Sequence, residues 1–376
     1  MKRLPFIVFA AVALVFLSLG NIAISQMVIA SFGIVEEWLI WSIELIPIIL
    51  TLGFVVALII GSKYYNPLTR ILYVLSSMWM GFFVYLIGAV IVLALVSFVL
   101  YVTSTDATLH YLGIVLLFVA VITGIYGIVH ARKIKIKHVD VVLKGLPQSW
   151  KGRKVVFISD IHLGQIHNQS FTERIVGEIE ILNPDIVLIG GDLYDGYEIN
   201  LKESIAPFEK LKPKLGTYFI TGNHEEFRER NSFINEVKAV GIEVLDERRV
   251  DIDGVQLVGV SHLRTAEKVQ YESVLAALGV DPVRPSILLK HEPRDIDVTA
   301  AAGISLQLSG HTHRAQVWPL GYVARRIYKG FDYGLKSAGR TQVYTSSGVG
   351  TWGPPMRVGT DSEIVCITFI ALKTTD

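Results

Sequence analysis

The chain has 376 residues, of which 51% are hydrophobic and only 18% charged, and its mean hydropathy is +0.48. These values exclude a wholly soluble globule, and the formal net charge of +1 argues against a nucleic-acid-binding protein, which would normally be strongly basic. The single cysteine, Cys366, excludes an intramolecular disulfide, and its apolar neighbours predict a small buried side chain.

Four apolar runs in the first third of the chain are each long enough to cross a bilayer, which requires roughly 20 apolar residues. They cover residues 4–24, 38–60, 71–102 and 111–129. The first follows a short basic start and has a signal peptide as its alternative, but its length favours a span. Glu44 is the charged residue inside these runs, and its position less than two turns from the end of the second run predicts a carboxylate reaching the outer headgroups. The runs therefore predict a multi-pass anchor and not a transporter.

Lysine and arginine concentrate at one side of the four predicted spans. They precede the first span, separate the second from the third and follow the fourth: Lys2, Arg3, Lys63, Arg70, Arg132, Lys133, Lys135 and Lys137. The other two loops carry Glu36, Glu37 and Asp106 and no basic residue. Because basic loops stay on the cytoplasmic side, we expect both termini and the region after about residue 131 to be cytoplasmic at the cell membrane.

Residues 132–139 are expected to link the membrane region to a globular domain at 140–376. The linker alternates lysine with isoleucine, which predicts a strand with one solvated face; the same lysines could also bind anionic headgroups. Beyond it, strand-like runs alternate first with helical patterns and then with a hairpin signal, Asp253-Gly254. Predicted strands cover 154–159, 185–189, 216–221, 286–289, 305–308, 342–345 and 363–370, and predicted helices 171–182 and about 225–240. This order predicts a β-sandwich flanked by helices.

Polar side chains follow several of these strand-like runs. They are Asp160, His162, Asp192, Asn223, His291, His311 and His313. Asp160 and His162 are two apart at a strand end, so we expect them to share a face. Oxygen and nitrogen donors without sulfur suit zinc, manganese or iron, and seven exceed the three or four that one zinc site uses. With one carboxylate bridging, the set fits two metals roughly 3.5–4 Å apart and leaves His224 as an acid. The other histidines, at 110, 130, 138, 167 and 262, are interpreted as structural or solvent-facing.

At these residues the sequence resembles the calcineurin-like metallophosphoesterase superfamily. Its pattern of D-x-H, G-D-x-x-D, G-N-H-[DE], H and G-H-x-H is present in full, and residues 347–351 with 355–357 resemble the C-terminal element of its membrane-anchored bacterial branch. The resemblance implies a two-sheet β-sandwich flanked by helices. It also implies one metal on Asp160, His162, Asp192 and His313, a second on Asp192, Asn223, His291 and His311, and His224 as the acid oriented by Asp195.

The predicted activity is hydrolysis of a phosphoester or pyrophosphate by in-line attack of a hydroxide that bridges two divalent ions, Mn, Fe or Zn. The substrate stays open between a lipid-linked and a soluble phosphoester, and a non-catalytic membrane scaffold is the alternative from another class. Residues 318–340 are rich in aromatic and basic side chains directly after the last histidines, so Arg325 and Arg326 are candidates for contact with a lipid headgroup, with an ordinary surface loop as the alternative. The sequence predicts membrane lipids as partners and leaves the oligomeric state open.

Overall fold

The computed structural model describes residues 3–61, 64–196, 200–227 and 230–370. Lys2 and Lys63, which the topology prediction uses, lie outside the described residues. The chain divides into two compact units, one comprising residues 1–129 with 353–356 and the other comprising 130–352 with 357–376.

Four long apolar helices form the first unit, as predicted. They are α1 (Arg3–Phe32), α2 (Glu37–Gly61), α3 (Pro67–Val102) and α4 (His110–Ala131). All four are long and apolar enough to cross a membrane. The first helix continues to Phe32, beyond the predicted end of the first span, because its polar side chains pair with another helix. Asn21 Nδ2 donates to Thr51 Oγ1 at 2.8 Å, and Gln26 Nε2 donates to Glu44 Oε1 at 2.9 Å.

The second unit contains two six-stranded mixed sheets. Their strands are β1 (Ile134–Val142), β2 (Lys154–Ile158), β3 (Ile186–Ile189), β4 (Thr217–Phe219), β5 (Glu243–Val244), β6 (Arg248–Ile252), β7 (Val255–Val260), β8 (Ser286–Lys290), β9 (Leu306–Ser309), β10 (Gly334–Ala338), β11 (Thr341–Thr345) and β12 (Ser362–Ile370). The first sheet has the order β1-β12-β2-β3-β4-β5 and the second β10-β11-β9-β8-β7-β6. In each sheet the strands nearest the centre of the order, β2-β3-β4 and β9-β8-β7, run parallel.

The second unit also contains helices, most of which pack against the two sheets. They are α5 (Gln169–Leu182), α6 (Leu201–Ile205), α7 (Arg230–Ala239), α8 (His262–Thr265), α9 (Lys268–Leu278), α10 (Ile296–Ala301) and α11 (Gly321–Ile327). The alternation of side chains along β2 explains the layers: Val155 and Phe157 pack between the sheets, whereas Val156 and Ile158 pack against α5 and α7. A third cluster joins the second sheet to α9 and α10. The result is the helix-flanked β-sandwich that the sequence predicts.

The first strand begins inside the segment that the sequence predicts as a linker. β1 runs from Ile134 and pairs in parallel with β12 near the end of the chain, so Ile134 lies beside Ser362. Lys135 Nζ forms an ion pair with Asp361 at 2.8 Å. The Asp253-Gly254 signal is the turn between β6 and β7, which pair antiparallel from Ile252 opposite Val255. Sequence alternation therefore identifies both strands, but not the position at which the domain begins.

Candidate metal centre

The predicted ligands lie in loops that follow the carboxyl ends of strands from both sheets. The backbone itself links these loops. Asp160 N–H donates to Gly191 O at 3.0 Å, and Gly310 N–H donates to His291 O at 2.9 Å. Open α/β sheets bind ligands at this edge, because the carboxyl ends of parallel strands meet there.

Three groups of donor atoms converge at this edge, each with its atoms within 4.8 Å of one another. The groups are Asp160, His162 and His313; His162, Asp192 and His224; and Asp192, His291 and His311. All of these residues are buried except His311, which is partly buried. His162 belongs to the first and second groups and Asp192 to the second and third, so the middle group connects the two outer ones. The structure thus brings six of the seven predicted ligands together and adds His224, which the sequence analysis assigns as an acid.

The contacts between imidazole nitrogens fit a cation better than a packed core. His162 Nε2 lies 3.0 Å from His313 Nε2, and His291 Nε2 lies 3.2 Å from His311 Nδ1. Two such nitrogens are favourable neighbours only if one carries a proton or if both lone pairs face a cation. Nitrogen ligands of a tetrahedral zinc, each about 2.0–2.1 Å from the metal, would lie roughly 3.3 Å apart. The observed separations are close to that value.

Asn223, the seventh predicted ligand, supplies a donor atom with no other partner. Its Oδ1 is buried, and among the described residues no group donates a hydrogen bond to it. An unpaired buried amide oxygen costs about 1–3 kcal/mol, and Asn223 directly precedes His224, so its oxygen is available to a metal ion at the donor groups. Amide oxygens are suitable ligands for hard and borderline divalent metals.

Burial and charge together prepare the side chains for metal binding. Burial lowers the pKa of His311 to about 3 and that of His313 well below its ordinary value, so both imidazoles are neutral and can present a lone pair. Burial alone would also lower the pKa of His291, but Asp192 and its hydrogen bond raise it to about 10. Asp192 itself has a pKa well below its ordinary value, since the attraction of His291 and His224 outweighs burial. The negative electrostatic potential that favours a proton between Asp192 and His291 also favours a metal cation at the same position.

The backbone at these residues is held in sparsely populated conformations. Five of the predicted ligands have positive φ: Asp160 (54°), His162 (54°), Asp192 (51°), His311 (69°) and His313 (47°). Such residues cost about 1–3 kcal/mol each and cluster at functional sites. Asp160 and His162 therefore reach the same cluster from a loop beyond Ile158, where β2 ends, and not because strand alternation places them on one face as the sequence analysis predicts. Gly191 completes the turn, because a Cβ there would lie 2.7 Å from His291 Nδ1.

His224 and Asp195 lie together at the edge of the centre. His224 Nδ1 is 3.1 Å from the Asp195 backbone carbonyl and 3.4 Å from its Oδ1. The Asp195 carboxylate is closer still to His162, whose Nδ1 lies 3.1 Å from Oδ1. It is therefore placed to orient a predicted ligand as well as the predicted acid. Trp352, whose side chain is exposed, packs edge-on against His224 with ring centroids 5.9 Å apart.

Two buried charged residues support the centre without belonging to a donor group. Glu225 accepts backbone hydrogen bonds from Asp192, Tyr194 and Gly222 at 3.0, 3.0 and 2.7 Å. Arg357 is fully buried and donates to the carbonyls of residues 347, 348 and 350, in the loop whose Gly350 N–H bonds to Asp160 O. Both residues stand in sequence motifs: Glu225 ends the G-N-H-E motif, and Arg357 is the arginine of the C-terminal element.

Three further predicted residues lie outside the donor groups. The His262 ring, interpreted from sequence as structural or solvent-facing, lies 6.2 Å by centroid from both His291 and His311. Arg325 lines a separate cavity together with Arg314, the residue after His313. Arg326 is exposed on the same short helix, α11.

Comparison with known proteins places these loops in a family. The model of the calcineurin-like phosphoesterase family matches residues 153–315. An uncharacterized metallophosphoesterase of Campylobacter jejuni is 32% identical over 243 residues, which are 64% of this chain and 64% of that protein. A transmembrane protein with metallophosphoesterase domain from Danio rerio is 34% identical over 273 residues, 68% of this chain and 62% of that protein. An uncharacterized metallophosphoesterase of Aquifex aeolicus is 31% identical over 257 residues, 67% of this chain and 98% of that protein. The chain thus spans less than two thirds of the first two relatives.

Proposed function

The chain belongs to the calcineurin-like phosphoesterase family, and from that premise we propose that it is a membrane-bound hydrolase of phosphoester or pyrophosphate bonds that uses two divalent metal ions. The observation that carries the proposal is that Asp192 shares one donor group with His162 and His224 and another with His291 and His311. A carboxylate has two oxygens, so one side chain can serve two ions.

We assign one ion to Asp160, His162, Asp192 and His313, and the other to Asp192, Asn223, His291 and His311. The donors are nitrogen and oxygen without sulfur, which favours Mn, Fe or Zn. When bound, such ions activate a water molecule as the nucleophile and offset negative charge on the phosphoryl oxygens.

His224 is proposed as the general acid. Its Nδ1 faces the carbonyl oxygen of Asp195, an acceptor, so Nδ1 holds its proton throughout. The proton that reaches the leaving oxygen therefore comes from Nε2 of the imidazolium. The nearby Asp195 carboxylate, 3.4 Å from Nδ1, stabilises that imidazolium and fixes the ring. General-acid help of this kind contributes roughly 10²–10⁴ in rate.

The four apolar helices support a location in the cell membrane, and the distribution of lysine and arginine supports a cytoplasmic catalytic unit with both termini on the same side. A membrane-bound hydrolase can act on a lipid-linked phosphoester or, as the second candidate, on a soluble phosphodiester. The spans favour the lipid-linked substrate, because a soluble one makes no use of them.

The test is a hydrolysis screen of the purified full chain, with lipid and water-soluble phosphoesters side by side. Each is assayed after chelation and after addition of Mn, Fe or Zn. The proposal requires hydrolysis that chelation removes and metal restores. Bound metal without hydrolysis of any substrate would favour the non-catalytic scaffold instead.

A further inference from the structure

A cavity of about 300 Å³ opens beside the loop that carries His313 and is separate from the donor groups. Three cationic side chains line it: Arg314, Arg325 and Lys336. Within the described residues none of the three forms an ion pair, and the one acid in the wall is Asp332. The Arg314 guanidinium lies 4.8 Å from the centre of the Tyr333 ring. The cavity is therefore net positive and suits an anionic group such as a phosphate.

An apolar surface adjoins this cavity. Of the eleven large hydrophobic side chains that are exposed among the described residues of the second unit, five fall within residues 318–327: Trp318, Leu320, Tyr322, Val323 and Ile327. Isolated exposed hydrophobic residues are ordinary, but a concentration of this kind marks an interaction surface.

The spacing on α11 separates two faces of this segment. Tyr322 and Arg325, three apart, both line the cavity. Leu320, Val323 and Ile327 fall at helical spacing on another side of the helix. One short element thus presents Tyr322 and Arg325 to the cavity on one face and aliphatic side chains on the other.

We propose that this segment, together with Arg314 and Lys336, docks on an anionic lipid surface. A lipid phosphate occupies the cavity among the three cations, and Leu320, Val323 and Ile327 enter the boundary between headgroups and acyl chains. In a bilayer the phosphates lie outside the acyl chains. The cationic side chains would contact the phosphates, and the adjacent aliphatic and aromatic side chains would contact the interfacial and acyl regions. Four helices are long and apolar enough to cross a membrane, which would bring the chain to a lipid surface.

The docking does not require hydrolysis. Its consequence for the reaction rests on the proposed function: the residue after His313 would contact lipid phosphates, which deepens the substrate class to phosphoesters carried by lipids. Failure of docking would leave metal-dependent hydrolysis of soluble esters untouched, so the two proposals can fail separately.

The test uses the full chain in nanodiscs of phosphatidylglycerol or of phosphatidylcholine alone. Val323→Cys and, as a matched control, Val269→Cys carry a polarity-sensitive fluorophore; both valines are exposed, at 56% and 74%, and Val269 lies on α9. The native Cys366 is buried. In phosphatidylglycerol we expect the label at 323 to shift to the blue and to be quenched by nitroxide lipids, whereas the label at 269 stays water-exposed. Equal water exposure at both positions would overturn the proposal.

A second measurement tests the cations. The double substitution Arg325→Gln and Lys336→Gln, in the Val323→Cys chain, should lower the ratio of docked to undocked molecules by roughly 25-fold, since each basic residue contributes about fivefold at an anionic surface. Arg340→Gln, which removes an exposed charge elsewhere, is the control. If the double substitution leaves docking unchanged, or if inorganic phosphate binds the cavity while the label at 323 never meets lipid, the site is not a lipid-docking surface and the proposal is wrong.

Discussion

Replacing Arg357 with methionine should destabilise the second unit and the candidate metal centre together. The guanidinium is fully buried, and one nitrogen, Nη2, donates to the carbonyls of Ser347, Gly348 and Gly350 at 2.7, 3.1 and 2.6 Å. Burial lowers its pKa to about 10, so the group is still charged at neutral pH. Methionine has a similar length but no donor, so all three carbonyls lose this partner.

The magnitude follows from the three lost hydrogen bonds. The carbonyls of Ser347 and Gly350 lose their donor, whereas Gly348 O still accepts from Glu363 N–H at 3.1 Å. Each buried acceptor left without a donor costs about 1–3 kcal/mol, and removal of the buried charge offsets part of the sum. With the lost packing of the buried guanidinium included, we expect a net cost of about 3–5 kcal/mol, the upper range for single substitutions. For a unit of this size 1 kcal/mol corresponds to about 2–4 °C, so the apparent Tm should fall by roughly 6–20 °C.

The same loop reaches the metal centre through Asp160. Gly350 N–H donates to Asp160 O at 2.9 Å, and a Cβ at Gly348 would lie only 2.7 Å from Asp160 Cβ. A loosened loop therefore displaces a predicted ligand, and metal affinity should fall at temperatures where the unit is still folded.

The assay compares thermal unfolding and metal content of the solubilised full chain for Arg357→Met and Arg340→Met. Arg340 is exposed, so its replacement should change stability by no more than about 0.5 kcal/mol. A Tm for Arg357→Met equal to that of the control would refute the energetic reasoning. A large fall in Tm with unchanged metal affinity would refute the coupling to Asp160.

Three further predictions address the acid, the topology and the substrate. His224→Ala should lower turnover by roughly 10²–10⁴ with both metals retained, and the loss should shrink for nitrophenyl esters, whose leaving group needs no proton; equal losses on good and poor leaving groups would exclude the acid role. A reporter active only in the cytosol should work when fused after Asp376, and Asp106→Cys should be labelled from outside intact cells; labelling only after permeabilisation would contradict the topology. Replacing Arg325 and Arg326 with alanine should weaken turnover of lipid phosphoesters in anionic micelles by about 1 kcal/mol for each charge and leave turnover of bis-nitrophenyl phosphate unaffected. Arg325 should contribute more, because it lines the cavity. Equal effects on both substrates would place the arginines at the metal site.

The sequence predicted those strands whose position depends on the local pattern of hydrophobic residues. β-Branched runs ended by glycine or polar residues mark the central strands, and hydrophobic alternation marks the sheet edges. The predicted ends of helices and strands differ from the structure where residues distant in sequence determine them. α1 continues to Phe32 because Asn21 and Gln26 have partners on α2, and β1 becomes part of the sheet because β12 pairs with it. The partners on α2 and β12 are distant in sequence, so no local sequence pattern includes them.

The candidate ligands were predictable because each follows a strand, and strand ends meet at one edge of each sheet. The backbone conformation that brings these side chains together could not be predicted from the sequence. Positive φ at Asp160 and His162 sends both side chains into one cluster from a loop, which strand periodicity does not describe. Glu225 and Arg357 stand in recognisable motifs, but the sequence does not show which backbone groups they bind. The position of Arg325 in a cavity, and of Arg326 outside it, depends on the faces of α11.

The most direct test of the account is the metal content of Asp192→Asn. An asparagine has one ligand oxygen where the carboxylate has two, so a side chain that serves both ions should lose its hold on both. Asp253→Asn, an exchange of the same kind in the exposed β6–β7 turn, is the control and should retain metal and activity. We expect Asp192→Asn to lose both metals and all hydrolysis. Two metals retained with near-normal turnover would contradict the assignment of Asp192 as the ligand that both ions share.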